Sequence, residues 1–229
     1  MPVDLTSPSL NLSADSNEVV TYRRDSRNYI TQLFSPQLPA AETGFFNIRM
    51  SRGVMITPHW HTNTNEMVVV ITGEATTSVF NPNTQRLMTY RLGPGQVAQF
   101  PKGWFHWVVS LADDTFIMAI FDRPNSDIVY AADFLRYTPK EIMGMAYGVD
   151  PEGLAQAAAS IKQSVILGPP VESGNREDPP ALQASLHEAD EARSYPGLHQ
   201  AQPGYLPPQR PFGPEMPRPY RMDPNRFWW

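Results

Sequence analysis

Between Tyr29 and Phe121 the chain is cut at short intervals by turn-forming residues, and this punctuation limits the fold more than any other feature. The cuts fall at Gly73-Glu74, Asn81-Pro82-Asn83-Thr84, Gly93-Pro94-Gly95 and Pro101-Lys102-Gly103. Asn, Pro and Gly supply the backbone angles that tight turns need. The segments between them are short and rich in β-branched and aromatic residues, such as Val68-Val69-Val70-Ile71. Strands are predicted over 29–34, 43–50, 54–61, 66–72, 75–80, 87–91, 96–100, 105–110 and 115–121. Many short strands with Gly/Pro turns specify an all-β sandwich or barrel.

The flanks differ in character. Residues 1–27 are polar and aperiodic and read as an N-terminal arm, either a flexible tail or a strand that adds to a sheet edge, on this or a second subunit. The barrel is assigned to 28–130 and a helical extension to 131–167. Thr138-Pro139-Lys140-Glu141 suggests a capped helix start running to Tyr147 before Gly148. Asp150-Pro151-Glu152 suggests another, carried from Leu154 to Gln163. These helices are expected to cover one opening or edge of the barrel. Beyond Gly168, 13 of the 24 prolines fall between Pro169 and Pro224, marking 168–229 as a Pro-rich tail. Its terminal aromatics, Phe227, Trp228 and Trp229, are expected to dock on the barrel or on a partner.

Chemistry concentrates at Thr57–Gly73. His59 and His61 stand two apart in a predicted strand, so their imidazoles project from one face. Glu66 follows a short polar turn, and His106 lies near the start of a later strand. Two imidazoles and a carboxylate on one face can hold a divalent metal, and His106 completes the set. The chain has no cysteine, so any metal must sit on nitrogen and oxygen ligands. His187 and His199 lie in the tail and are assigned no role. A net charge of -5 argues against nucleic-acid binding. No secretory leader or membrane-length apolar run is visible, which gives an expectation of a cytoplasmic protein with no membrane partner.

These residues resemble the cupin superfamily. Gly53, His59, His61, Glu66 and Gly73 fill the fixed places of its first motif, G-x5-H-x-H-x3,4-E-x6-G. Gly95, Pro101, Gly103 and His106 match the second, with Ser110 in place of its final Asn. The stretches 100–106 and 132–143 are most similar to the oxalate decarboxylase group, and to one half of those two-cupin proteins. The resemblance implies a double-stranded β-helix, the cupin jelly-roll barrel, with short C-terminal helices. It implies one divalent metal on His59, His61, Glu66 and His106, with Mn or Fe expected and Zn, Ni or Co as further options. It also implies a homodimer and a small-molecule ligand.

The resemblance is broken at two places. That group carries an arginine three residues before the first metal histidine, where this chain has Ile56, and a glutamate in a lid loop, where this chain has 122–127. Arg123 and Asp127 are the available substitutes, as cation and as proton carrier, although each also reads as an ordinary surface residue. Strand alternation predicts a pocket wall of Met55, Thr57, Val68, Val70, Phe100, Val108 and Met118, largely apolar and suited to a substrate bulkier and less charged than oxalate. The expected function is therefore a metal-dependent enzyme with oxidative (dioxygenase or oxidase) or Lewis-acid lyase or isomerase chemistry on a small oxygen-bearing molecule. The alternatives are a non-catalytic metal-holding binding or storage cupin, and an oxalate decarboxylase or oxidase.

Overall fold

Alternation is cleanest in the segment Thr115–Phe121, where every second residue is buried, and this strand sits at the centre of one of two sheets. The computed structural model describes residues 3–169. The tail, with its terminal aromatics, His187 and His199, lies outside the described residues. Twelve strands and three short helices are present among the described residues. The strands are β1 (Val19–Arg23), β2 (Tyr29–Leu33), β3 (Gly44–Met50), β4 (Met55–His61), β5 (Glu66–Thr72), β6 (Ala75–Asn81), β7 (Arg86–Leu92), β8 (Val97–Phe100), β9 (His106–Ser110), β10 (Thr115–Phe121), β11 (Ile128–Tyr130) and β12 (Leu167–Gly168). One sheet has the order β1-β2-β3-β10-β5-β8. The other has the order β11-β4-β9-β6-β7, with β12 also paired to β4. All pairings are antiparallel. This is the jelly-roll fold that the strand pattern and motifs led us to expect.

The core lies between the sheets. Val68, Val70, Val108 and Ile117 are fully buried there, and each such side chain contributes about 1.5–3 kcal/mol of transfer free energy. The turns are fixed by glycine where only glycine fits. Gly73 has φ +76°, and a Cβ there would lie 2.7 Å from the Asp114 carbonyl oxygen. Gly103, at φ +82°, donates its N–H to the His61 carbonyl and so ties the start of β9 to the end of β4.

Within the stretch read as an arm, β1 pairs with β2 at the edge of its sheet, which is the strand alternative of that reading, on this same chain. Near the end of the described chain, β12 pairs Leu167 with Ile56. It is a two-residue strand, below the length at which periodicity can be read.

The helices are α1 (Ala131–Tyr137), α2 (Lys140–Tyr147) and α3 (Pro151–Ala158). Thr138 does not cap α2 as expected. It ends α1 instead, donating its hydroxyl to the Phe134 carbonyl, and Pro139 occupies the N-cap of α2. Asp150 caps α3 as expected, accepting from the N–H groups of Glu152 and Gly153, but α3 stops at Ala158 rather than reaching Gln163. α1 packs against β4 and β11, and α2 against α3. None of the described helices is long and apolar enough to cross a membrane.

Candidate metal centre

The two sheets meet at one cluster. His59 and His61 come from β4, His106 opens β9 beside them, and Glu66 opens β5 in the opposite sheet. His59 and His106 are direct cross-strand partners. All four side chains are buried, and their ligand atoms lie within 4.8 Å of one another. Glu66 Oε2 is 2.9 Å from His61 Nε2, 2.9 Å from His106 Nε2 and 3.9 Å from His59 Nε2.

The outer nitrogens explain why the inner ones converge. His59 Nδ1 donates to the Thr57 carbonyl at 2.7 Å, and His106 Nδ1 to the Trp104 carbonyl at 2.8 Å. His61 Nδ1 has the Asp127 carbonyl at 3.0 Å and Ser126 Oγ at 2.8 Å. A carbonyl only accepts, so each Nδ1 carries the proton and a neutral ring presents a bare lone pair at Nε2. Packing fixes the ring planes. Phe100 stacks on His106 at 4.2 Å, and Phe121 meets His61 edge-on at 5.0 Å.

Three lone pairs and a carboxylate facing one another repel unless positive charge sits among them. Protons on the rings or a divalent cation can supply it. Burial, and then the neighbouring His106, push the His59 imidazole down to about 3, against the attraction of Glu66. His59 is therefore neutral near pH 7, as a metal ligand must be. Burial works to raise Glu66, but hydrogen bonds from His106 and His61 outweigh it and hold the carboxyl below the usual carboxylate range. A three-imidazole, one-carboxylate set suits Mn, Fe, Zn, Ni or Co, and leaves about two of six octahedral positions for other ligands.

A second network holds the turn before Glu66. Asp122 accepts from Thr64 Oγ1 at 2.6 Å, from Asn65 N at 3.0 Å and from Asn65 Nδ2 at 2.5 Å. Asn63 in turn accepts the Asp127 N–H at 2.9 Å. The 62–65 turn is thus bound to the 122–127 loop, which also supplies the carbonyl that orients His61.

Beside the cluster lies a cavity of about 50 Å³, lined by His59, His61 and Glu66 and otherwise mostly by apolar side chains, among them Ile30, Ile48, Ile56 and Ala119. Tyr130 also lines it, with its ring 5.8 Å from that of His59. Burial, and then the charge of Glu66, raise the Tyr130 phenol above its ordinary value. No Lys or Arg is among the lining residues.

The residues expected to form the wall lie elsewhere. Val68, Val70, Phe100 and Val108 do face inward, but they are buried in the core rather than lining the cavity. Met55 packs outside with Val109 and Leu111, and the Thr57 hydroxyl is bound to the Val165 carbonyl. The reason is a register irregularity between Ile56 and His59, which puts Ile56 on the histidine side. Met118 is on the outer phase of β10, where Ile117 and Ala119 face in. Arg123 and Asp127 are exposed and do not line the cavity, and Asp127 reaches the site only through its backbone carbonyl. Apart from the ligands, sequence reasoning missed the whole lining: Thr21 of β1, the residues of β2 and β3, Ile56, Ala119 and Phe121 of β10, Ile128 and Tyr130 of β11, and Ile166. The one available signal was the short apolar run Ile128-Val129-Tyr130 just before a helix.

Comparisons with known proteins agree with this fold. Residues 11–154 match the family model described as Cupin. The chain is 23% identical over 163 residues to the oxalate decarboxylase OxdC of Bacillus subtilis, covering 64% of this chain and 42% of that protein. It is 25% identical over 142 residues to germin-like protein subfamily 1 member 1 of Arabidopsis thaliana, covering 58% and 65%, and 25% identical over 139 residues to prunin 1 of Prunus dulcis, covering 56% and 23%. Among solved structures, procruciferin, an 11S globulin from Brassica napus, superposes with a TM-score of 0.63 at 21% identity, over 73% of this chain and 46% of that one. The formate complex of Lactobacillus farciminis oxalate decarboxylase gives 0.54 at 19% identity, over 60% and 41%. The chain spans less than half the length of the oxalate decarboxylases it matches.

Proposed function

Because the chain belongs to the cupin family, we propose that it is a metal-dependent enzyme that binds one divalent ion, Mn or Fe, on His59, His61, Glu66 and His106. The ion supplies Lewis acidity or redox capacity at its open positions. The substrate is a small oxygen-bearing organic molecule, and the reaction is oxidative or a lyase or isomerase step. One observation carries this reading. Three Nε2 atoms, each with its Nδ1 hydrogen-bonded outward, converge on Glu66 beside a cavity large enough for a small molecule. The protein's own groups orient the rings, keep water from the buried side of the cluster and give the ligand an apolar wall.

Oxalate is a poor fit. A dianion needs a cation to grip it, and the cavity wall offers Ile56 and no Lys or Arg. Incubation with oxalate and Mn should release no formate. Formate release that is lost in His106→Ala would overturn this exclusion.

A second reading, a non-catalytic binding or storage protein, is favoured by the similarity to the 12S seed storage protein CRD of Arabidopsis thaliana and by the lack, among the described residues, of any carboxylate or imidazole lining the cavity beyond His59, His61 and Glu66. The EPR spectrum of bound Mn separates the two. A spectrum that responds to small oxygen ligands supports the enzyme, and one indifferent to every added ligand supports storage. We also infer a homodimer, supported by the exposed Tyr137, Met145 and Tyr147 on the helices. A monomeric mass by light scattering would remove the dimer.

A further inference from the structure

We propose that Tyr130 is the second anchor of the ligand, and that the site takes a singly charged carboxylate with an apolar body. This rests on the metal-site reading above and names the ligand class for it.

The position of Tyr130 comes from strand pairing. β11 lies along β4 with Tyr130 opposite His59, so the phenol borders the cavity next to a ligand ring. Its hydroxyl has no hydrogen-bond partner among the described residues. The other hydroxyl on the wall is committed, since Thr21 Oγ1 donates to Gln32 Oε1 at 2.6 Å. Tyr130 is therefore the available neutral donor on an otherwise apolar wall. A phenol O–H beside a half-buried cavity wants an acceptor, and leaving it without one costs free energy.

Charge sets the ligand's valence. A divalent ion, one carboxylate and three neutral imidazoles sum to a single positive charge. With no Lys or Arg on the wall, one negative charge on the ligand neutralises the site, whereas two leave an unpaired charge in apolar surroundings. A carboxylate group brings one oxygen for the ion and a second to accept from Tyr130. Its alkyl body meets Ile30, Ile48 and Ile56. A volume of about 50 Å³ restricts that body to a few carbons.

The test uses the full chain loaded with Co²⁺, whose visible absorption reports changes at the metal. Butyrate and succinate are titrated separately. They share a four-carbon chain, and succinate carries a second carboxylate in place of the terminal methyl. Butyrate should perturb the spectrum with a dissociation constant at least tenfold lower than that of succinate. Tyr130→Phe, which keeps the ring, should take up Co²⁺ with unchanged affinity but bind butyrate about tenfold more weakly, the loss of one hydrogen bond to a charged group. Equal affinities for the two acids in the native chain would overturn the charge argument, and that comparison does not depend on the variant folding. Unchanged butyrate binding in the variant would overturn the role of Tyr130. Failure to take up Co²⁺ at all is seen before any acid is added. It refutes the metal-site reading, and this inference falls with it.

Discussion

The ligand cluster and the cavity wall beside it are held by different kinds of contact. The cluster is polar and locally tied. His59 and His106 are each oriented by the carbonyl two residues earlier, and the turn leading to Glu66 is bound to the 122–127 loop through Asp122. The wall is apolar and assembled from distant strands, with Ile30 from β2, Ile48 from β3, Ile56 from β4, Ala119 from β10 and Tyr130 from β11. Metal affinity and ligand preference are therefore separable. Changes in the cluster should cost the metal, and changes in the wall should keep the metal and alter what binds next to it.

The most severe break of that separation is His106→Ala, which removes one of four ligands. Metal affinity should fall by more than about 100-fold, read by competition with a chromogenic chelator. Asp122→Ala leaves the ligands in place but frees the turn before Glu66. Affinity should fall about tenfold by the same assay, in keeping with loss of an outer-shell partner. On the wall, Ile56→Val removes one buried CH₂, about 0.8 kcal/mol, and should weaken butyrate about fourfold with metal uptake unchanged. Met55→Ala, one position away but on the outer face, should leave both unchanged. A butyrate effect from Met55 equal to that from Ile56 would contradict the register irregularity in β4.

The finest contrast is in pH. His59 titrates near 3 when folded and near 6.5 when unfolded, so between these values the unfolded chain binds the extra proton. The stability this confers is complete above 6.5 and is lost as pH falls towards 3. Glu66, held below its ordinary 4.5, acts in the same direction at the acid end. The midpoint of thermal unfolding of chelator-treated protein should drop steadily from pH 7 to pH 4, and less steeply in His59→Gln. A flat profile in the native chain would contradict a buried, neutral His59.

Much of the cluster was legible in the sequence because its rules are short-range. The two-residue spacing of His59 and His61, the turn to Glu66, and Gly73 and Gly103 at positions of positive φ are all local matters. The strands were legible for the same reason, since their boundaries are turn residues. The wall was not. Alternation tells which side of a strand a residue faces, but not how deep in the barrel it lies, so Val68 and Val108 passed for lining when they are core. It also fails across an irregularity, which exchanged Ile56 for Met55. In β10 both phases are apolar, and only the pairing of β10 between β3 and β5 decides that Ala119 rather than Met118 faces in. Tyr130 reaches the cavity through a three-residue strand whose partner is remote in sequence.

The central claim is that four residues from three strands hold one divalent ion and leave it accessible. Metal analysis of protein purified without added metal or chelator tests this most directly, with EPR of the Mn-reconstituted form beside it. About one equivalent of Mn or Fe per chain is expected, with couplings to histidine nitrogens that weaken, but do not vanish, in His59→Gln. A folded chain that carries no metal as purified, and takes up none of Mn²⁺, Fe²⁺ or Co²⁺ when offered, would contradict it.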